Sequence, residues 1–92
     1  MTDPLLPLLE QLAAHHLPSS SAPPNALRGD GSDRQIYRFS TENGRSWVGV
    51  TNPAQDENQA FLAMSRYFRK QGIPVPEIYA ADPQQLVYLL ED

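Results

Sequence analysis

Ninety-two residues, 40% of them hydrophobic and 20% charged, are enough for one small globular domain, and nine prolines imply several fixed turns. Seven basic side chains against eleven acidic give a net charge of −4, and no Lys/Arg cluster marks a face that could neutralise a phosphate backbone, which argues against a nucleic-acid partner. The chain has no cysteine, so disulfides and thiolate metal sites are excluded and a reducing, cytoplasmic location is expected.

In the first segment, Leu5, Leu8, Leu9, Leu12 and Ala13 recur at helical spacing, with Thr2 or Asp3 as N-cap and Pro4 in the first turn. An amphipathic helix within Thr2 to Leu17 is predicted, bent or delayed by Pro7. The stretch carries Glu10, His15 and His16 and is too short and polar for a signal peptide or a membrane span. His15 and His16 are adjacent and point in different directions, which defeats a shared metal site. Leu17 to Pro24 is rich in Pro and Ser and reads as a linker, so residues 1–24 are one segment and 25–92 the main body.

A short strand before Gly29 is expected to lead into a glycine-bearing polar loop, and Gln35 to Ser40 alternates as a strand. Glu42-Asn43-Gly44 is a hairpin signal, and Ser46 to Thr51 returns as the partner strand. Alternation puts Trp47, Gly49 and Thr51 on one face of that strand and Val48 and Val50 on the other. Pro53 ends it. Asp56 is then the expected N-cap of a helix bearing Ala60, Phe61, Met64, Tyr67 and Phe68, with Phe61, Met64 and Phe68 as core against the sheet, closed by Lys70 and Gly72. Glu77 to Ala80 and Leu86 to Leu90 supply two more strands, the second continuously apolar and therefore interior.

The loop Gly29-Asp30-Gly31-Ser32-Asp33-Arg34 feeds a strand. A P-loop and a dinucleotide fingerprint both open helices, so neither fits. What remains is a glycine loop between antiparallel strands lying over nucleotide phosphates, with Arg34 where a third glycine would stand.

Four segments in order carry a family resemblance: Gly29 to Arg38, Glu57-Asn58-Gln59-Ala60-Phe61, Gly72 to Tyr79, and Tyr88-Leu89-Leu90-Glu91-Asp92. From about residue 26 to 92 the chain resembles the N-terminal lobe of the aminoglycoside phosphotransferase and choline kinase family, especially the bacterial branch with sugar kinases of cell-wall recycling. The resemblance implies an α+β, protein-kinase-like lobe: a five-stranded antiparallel sheet with one αC-like helix, here preceded by an N-terminal helix, with ATP in the cleft beneath. It further implies that Gly29, Gly31 and Ser32 cover the phosphates, that Glu57 is the helix carboxylate, and that Leu90, Glu91 and Asp92 begin the adenine-binding hinge. With Gly49 in the place of the alanine against adenine, Thr51 falls where the phosphate-binding lysine belongs. Thr51 cannot supply that cation, and Arg34 or Arg38 is left to do so.

The catalytic aspartate, the metal-binding acids and the acceptor pocket belong to the family's C-terminal lobe, so no catalytic or metal residue is assigned within these 92. ATP is the implied cofactor, Mg2+ accompanies it in the intact enzyme only, and a sugar or aminoglycoside-like hydroxyl is the implied acceptor. The apolar run closing at Asp92 is expected to mark the handover between lobes. A rival reading keeps the fold without the chemistry: an interaction module whose exposed apolar face, around Leu27, Gly49, Leu89 and Leu90, a partner or second copy would cover.

Overall fold

The computed structural model describes residues 3–17, 24–27, 34–41 and 44–92. Two helices and five strands follow in the order α1 (Leu6–His16), β1 (Asn25–Leu27), β2 (Gln35–Ser40), β3 (Ser46–Thr51), α2 (Gln55–Lys70), β4 (Ile78–Ala81) and β5 (Val87–Glu91). The strands form one antiparallel sheet in the order β1-β2-β3-β5-β4, so the chain is α+β. The expected bounds of β2 and β3 match those found, and β5 is interior, with Val87 to Leu90 all buried. The linker at 18–23 lies outside the described residues.

Each face of the sheet carries one helix. On one, Leu9 and Ala13 of α1 pack with Tyr37, Phe39, Val87 and Leu89. On the other, Leu62 of α2 packs with Val50, Tyr88 and Leu90, with Phe61, Val48, Ile78 and Ala81 at its margin. Directly opposed residues of antiparallel strands share a face, and the pairings Ile36↔Val50↔Tyr88 and Arg38↔Val48↔Leu90 trace two rows across the α2 side. Pro7 sits in the first turn of α1, where its missing N–H breaks no bond, so it neither bends nor delays the helix. Asp3 takes two amides there: its carboxylate accepts from Leu5 N–H at 3.0 Å and its carbonyl from Leu6 N–H at 3.2 Å.

Three further expectations are corrected. The exposed apolar face around Leu27, Gly49, Leu89 and Leu90 does not form, because α1 covers Gly49 and Leu89 while Leu90 is buried on the opposite side. The phase of α2 is also different. Its buried residues are Asn58, Leu62 and Ser65, whereas Met64 is 56% and Tyr67 59% exposed, and Ala60 is exposed. Phe61 and Phe68 are half-buried at the edge of the contact. The helix starts one residue before Asp56, with Ala54 at the N-cap, because the Asn52 side chain accepts the Ala54 amide at 3.1 Å and turns the chain early. It stops as expected: Gly72 takes a positive φ of 78°, and Ile73 N–H reaches back to the Phe68 carbonyl at 3.0 Å.

Candidate functional site

The residues singled out from the sequence divide between the two faces. Gly29, Gly31 and Ser32 lie outside the described residues. Gly49 and Thr51 lie on the α1 face, where a Cβ at position 49 would stand 2.7 Å from Phe39 Cε2 and 2.9 Å from Leu9 Cδ2. Thr51 is 1% exposed, and its hydroxyl donates to the Asp3 carboxylate at 2.5 Å. The structure therefore does not bring Gly49 or Thr51 together with Glu57. The β3 side chains that face α2 are Val48 and Val50, and the polar group that follows them on that side is Asn52.

Asp3 accepts a further hydrogen bond from the Tyr37 hydroxyl at 2.7 Å, tying the start of α1 to β2 and β3. Burial pushes the Asp3 carboxyl up, but the bonds from Thr51, Tyr37 and the Leu5 amide together outweigh it and hold the pKa below the usual 3.8. Burial first, and then the bond to Asp3, raises the Tyr37 phenol to about 12. A depressed acid adds stability above its unfolded pKa that is lost as pH falls through the folded one, and a raised phenol adds stability that is lost as pH climbs from about 10 to about 12. Asp3→Asn keeps an acceptor oxygen but removes the charge and the titrating carboxyl that the three bonds share. The expected result is a shallower loss of stability than the native chain's below about pH 4 and above about pH 10, read from urea midpoints across pH. Unchanged slopes at both edges would refute this account.

Arg34, Asn52 and Glu57 gather at one end of the α2 face. Arg34 hydrogen-bonds the hydroxyl of Tyr88, a side chain only 1% exposed; burial raises that phenol's pKa and the Arg34 charge opposes the rise. Asn52 Nδ2 donates to Glu57 Oε1 at 3.2 Å, and Glu57 is exposed in the first turn of α2. Asn58, also 1% exposed, locks this corner by donating to the Asn52 carbonyl at 2.9 Å and the Gln85 carbonyl at 2.7 Å. Beyond the reach of α2, the β1–β2 side of the same face carries half-buried Leu27 and Ile36 and exposed Arg38.

At the other end, Arg38 Nε donates to Asp92 Oδ2 at 2.8 Å and the Ser46 hydroxyl donates to the same oxygen at 2.6 Å. The Ser46 bond, and then the one from Arg38, hold the Asp92 carboxyl below its usual range. Glu91 points away: its amide donates to the Glu77 carbonyl at 2.9 Å, and its Oε1 accepts the Glu77 amide at 3.1 Å. Asp92 and Glu91 thus serve different neighbours, and the Glu91 N–H of the expected hinge is already bonded. An open groove of about 370 Å3, lined by Arg69, Pro74, Val75, Pro76, Glu91 and Asp92, runs beside them.

Sequence reasoning missed Asn52 and Asn58. Asn52 before Pro53 carried a usable signal, since Asn favours turns and helix starts; a polar residue at position 58 of an otherwise apolar phase carried none. His15 and His16 are both exposed. Among the described residues no three His, Cys, Asp or Glu side chains converge as a metal site would require, and no helix is long and apolar enough to cross a membrane. No family model matches the chain, and neither a curated protein nor a solved structure matches it significantly.

Proposed function

We propose that this chain is the nucleotide-binding, kinase-like N-terminal lobe of a cytoplasmic phosphotransferase that moves the γ-phosphoryl group of ATP to a hydroxyl of a sugar or aminoglycoside-like acceptor. The observation that carries the proposal is the β1–β2 side of the α2 face, which α2 does not reach. Its floor is apolar, from half-buried Leu27, Ile36 and Val48, and at one end Arg34 and exposed Glu57 supply polar groups. Adenine suits the floor and phosphates the polar end. Gly29, Gly31, Ser32, Arg34, Glu57 and Leu90 remain in the proposed nucleotide set, and Glu91 leaves it because its amide is already bonded to the Glu77 carbonyl. Gly49 and Thr51 leave it, because Leu9 and Asp3 occupy their side of the sheet.

In this reading Arg34 takes the part of the missing lysine, and Arg38 is held by Asp92. Mg2+ enters with the nucleotide, and its ligands, the acceptor pocket and the base that takes the hydroxyl proton belong to a C-terminal lobe. Positioning and charge neutralisation are what such a lobe contributes to phosphoryl transfer.

The test is a titration of the chain with ATP and Mg2+, following amide shifts. Saturable shifts at Ile36, Val48 and Leu90 are expected, and Arg34→Gln should weaken binding about tenfold or more, the worth of one charge-assisted hydrogen bond. No shift at millimolar ATP would overturn the proposal. It would favour the second reading, a non-catalytic interaction module, which draws support from Glu57 being bonded to the Asn52 amide where a kinase pairs this carboxylate with lysine.

A further inference from the structure

The groove between the C-terminal half of α2 and the start of β4 has no part in the site just described, which lies toward the opposite edge of the sheet. It is open, encloses about 380 Å3, and is lined by Ser65, Arg66, Arg69, Lys70, Glu77 and Ile78. That volume is in the range of small-molecule sites. Three of the chain's seven basic side chains therefore meet in one concavity of a molecule whose net charge is −4.

The lining residues differ in how well they are partnered. Arg69 is engaged: its guanidinium donates to the Val75 carbonyl at 3.3 Å and stands 3.9 Å from the Glu77 carboxylate. Arg66 and Lys70 make no hydrogen bond or ion pair among the described residues. They are one turn apart on α2, a spacing at which like charges repel. Ser65 decides the reading. It is only 7% exposed, it lines the floor beneath the three cations, and its hydroxyl has no hydrogen-bond partner among the described residues. Leaving a buried donor unpaired is costly, and basic side chains placed only to meet the helix dipole would need no such donor beneath them. The cations and the hydroxyl lack the same thing, an anionic acceptor.

We propose that this groove binds the phosphate group of a phosphorylated small molecule, with the Ser65 hydroxyl donating from the floor, Arg66 and Lys70 closing on the phosphate oxygens from the rim, and half-buried Ile78 packing against the ligand's apolar part. Three cations against the single Glu77 carboxylate leave the lining with two positive charges, which a phosphate dianion neutralises. A tetrahedral phosphate presents acceptor oxygens in several directions and so suits a guanidinium, an ammonium and a hydroxyl that approach from different sides, whereas a carboxylate presents two in one plane. Three cations gathered at one point hold a single phosphate; they are not the extended basic face that a nucleic-acid backbone requires. The site is independent of whether the β1–β2 side of the sheet takes a nucleotide.

The test is a titration of the chain with phenyl phosphate from about 10 µM to about 10 mM, the range for a ligand of few contacts. Saturable amide shifts at Ser65, Arg66, Lys70 and Ile78 are expected, with none at Ile36 or Val48. Benzoate, the same ring on a planar monoanion, should bind at least tenfold more weakly. Ser65→Ala and Arg66→Gln should each weaken phenyl phosphate about tenfold or more, the worth of one hydrogen bond to a charged group. The urea midpoint of Ser65→Ala should be no lower than the native chain's, because the hydroxyl has no bond to lose and alanine favours the helix. Failure to saturate by 10 mM, equal binding of benzoate, or native affinity in Ser65→Ala would overturn the proposal. A lowered midpoint in that variant would do so as well, by showing that the hydroxyl already serves the fold.

Discussion

Leu9→Ala will cost about 2 to 5 kcal/mol of unfolding free energy, a large share of the about 5 to 15 kcal/mol available to a small domain. Leu9 is fully buried at the centre of the α1 face, touching the cluster of Tyr37, Phe39, Val87 and Leu89, and its methyls fill the space that a side chain at position 49 would occupy. The denaturation midpoint, followed through the fluorescence of Trp47, the chain's single tryptophan and 2% exposed, should fall with little change in slope. Gly49→Ala alone should cost about 1 to 3 kcal/mol, because its Cβ would press on Phe39 and Leu9. In the Leu9→Ala background the new methyl enters vacated space, so the double variant should be more stable than the two single losses predict, with coupling of about 0.5 kcal/mol or more. Strictly additive losses would show that Leu9 and Gly49 are not packed against each other. The same contact matters for function, since it makes the sheet one-sided: with α1 over Gly49, only the α2 face is left for a ligand.

That division of the sheet is also where the sequence was least informative. Alternation along Ser46 to Thr51 puts Gly49 and Thr51 on one face correctly, and β2 and β3 were legible to the residue because the sequence sets a Glu-Asn-Gly turn signal between two alternating runs. Which helix covers which face is a nonlocal fact that no period contains. The resemblance set Gly49 and Thr51 toward the cleft, whereas a bond from Thr51 to Asp3, 48 residues earlier, fixes them beneath α1. The burial phase of α2 was misread for a related reason. Hydrophobicity alone points to Met64 as core, but the sheet selects Asn58 and Ser65 beside Leu62, because the corner after β3 needs an amide donor more than another apolar side chain.

Asn58→Asp offers the sharpest test of that corner. Asn58 Nδ2 donates to the carbonyls of Asn52 and Gln85 at 2.9 and 2.7 Å, in a site 1% exposed. An ionised aspartate of the same shape has no donor, and it would place a buried charge against two carbonyl dipoles. The expected loss at neutral pH is about 3 to 5 kcal/mol, the cost of an uncompensated buried charge. Protonation restores one donor and removes the charge, so the variant's carboxyl must titrate above its unfolded value. A folded pKa raised in this way means that the deficit relative to the native chain is smallest below about pH 4 and widens as pH climbs through the folded pKa. Urea midpoints of the two proteins, measured side by side from acid to neutral pH, read this difference. Asn58→Ala, which loses both bonds without adding charge, should show a smaller deficit of about 2 to 3 kcal/mol that does not vary with pH. A deficit for Asn58→Asp that stayed flat across the same range would mean that the two carbonyls do not face the side chain. The β3–α2 corner, and with it the placement of Asn52 and Glu57, would then need another explanation.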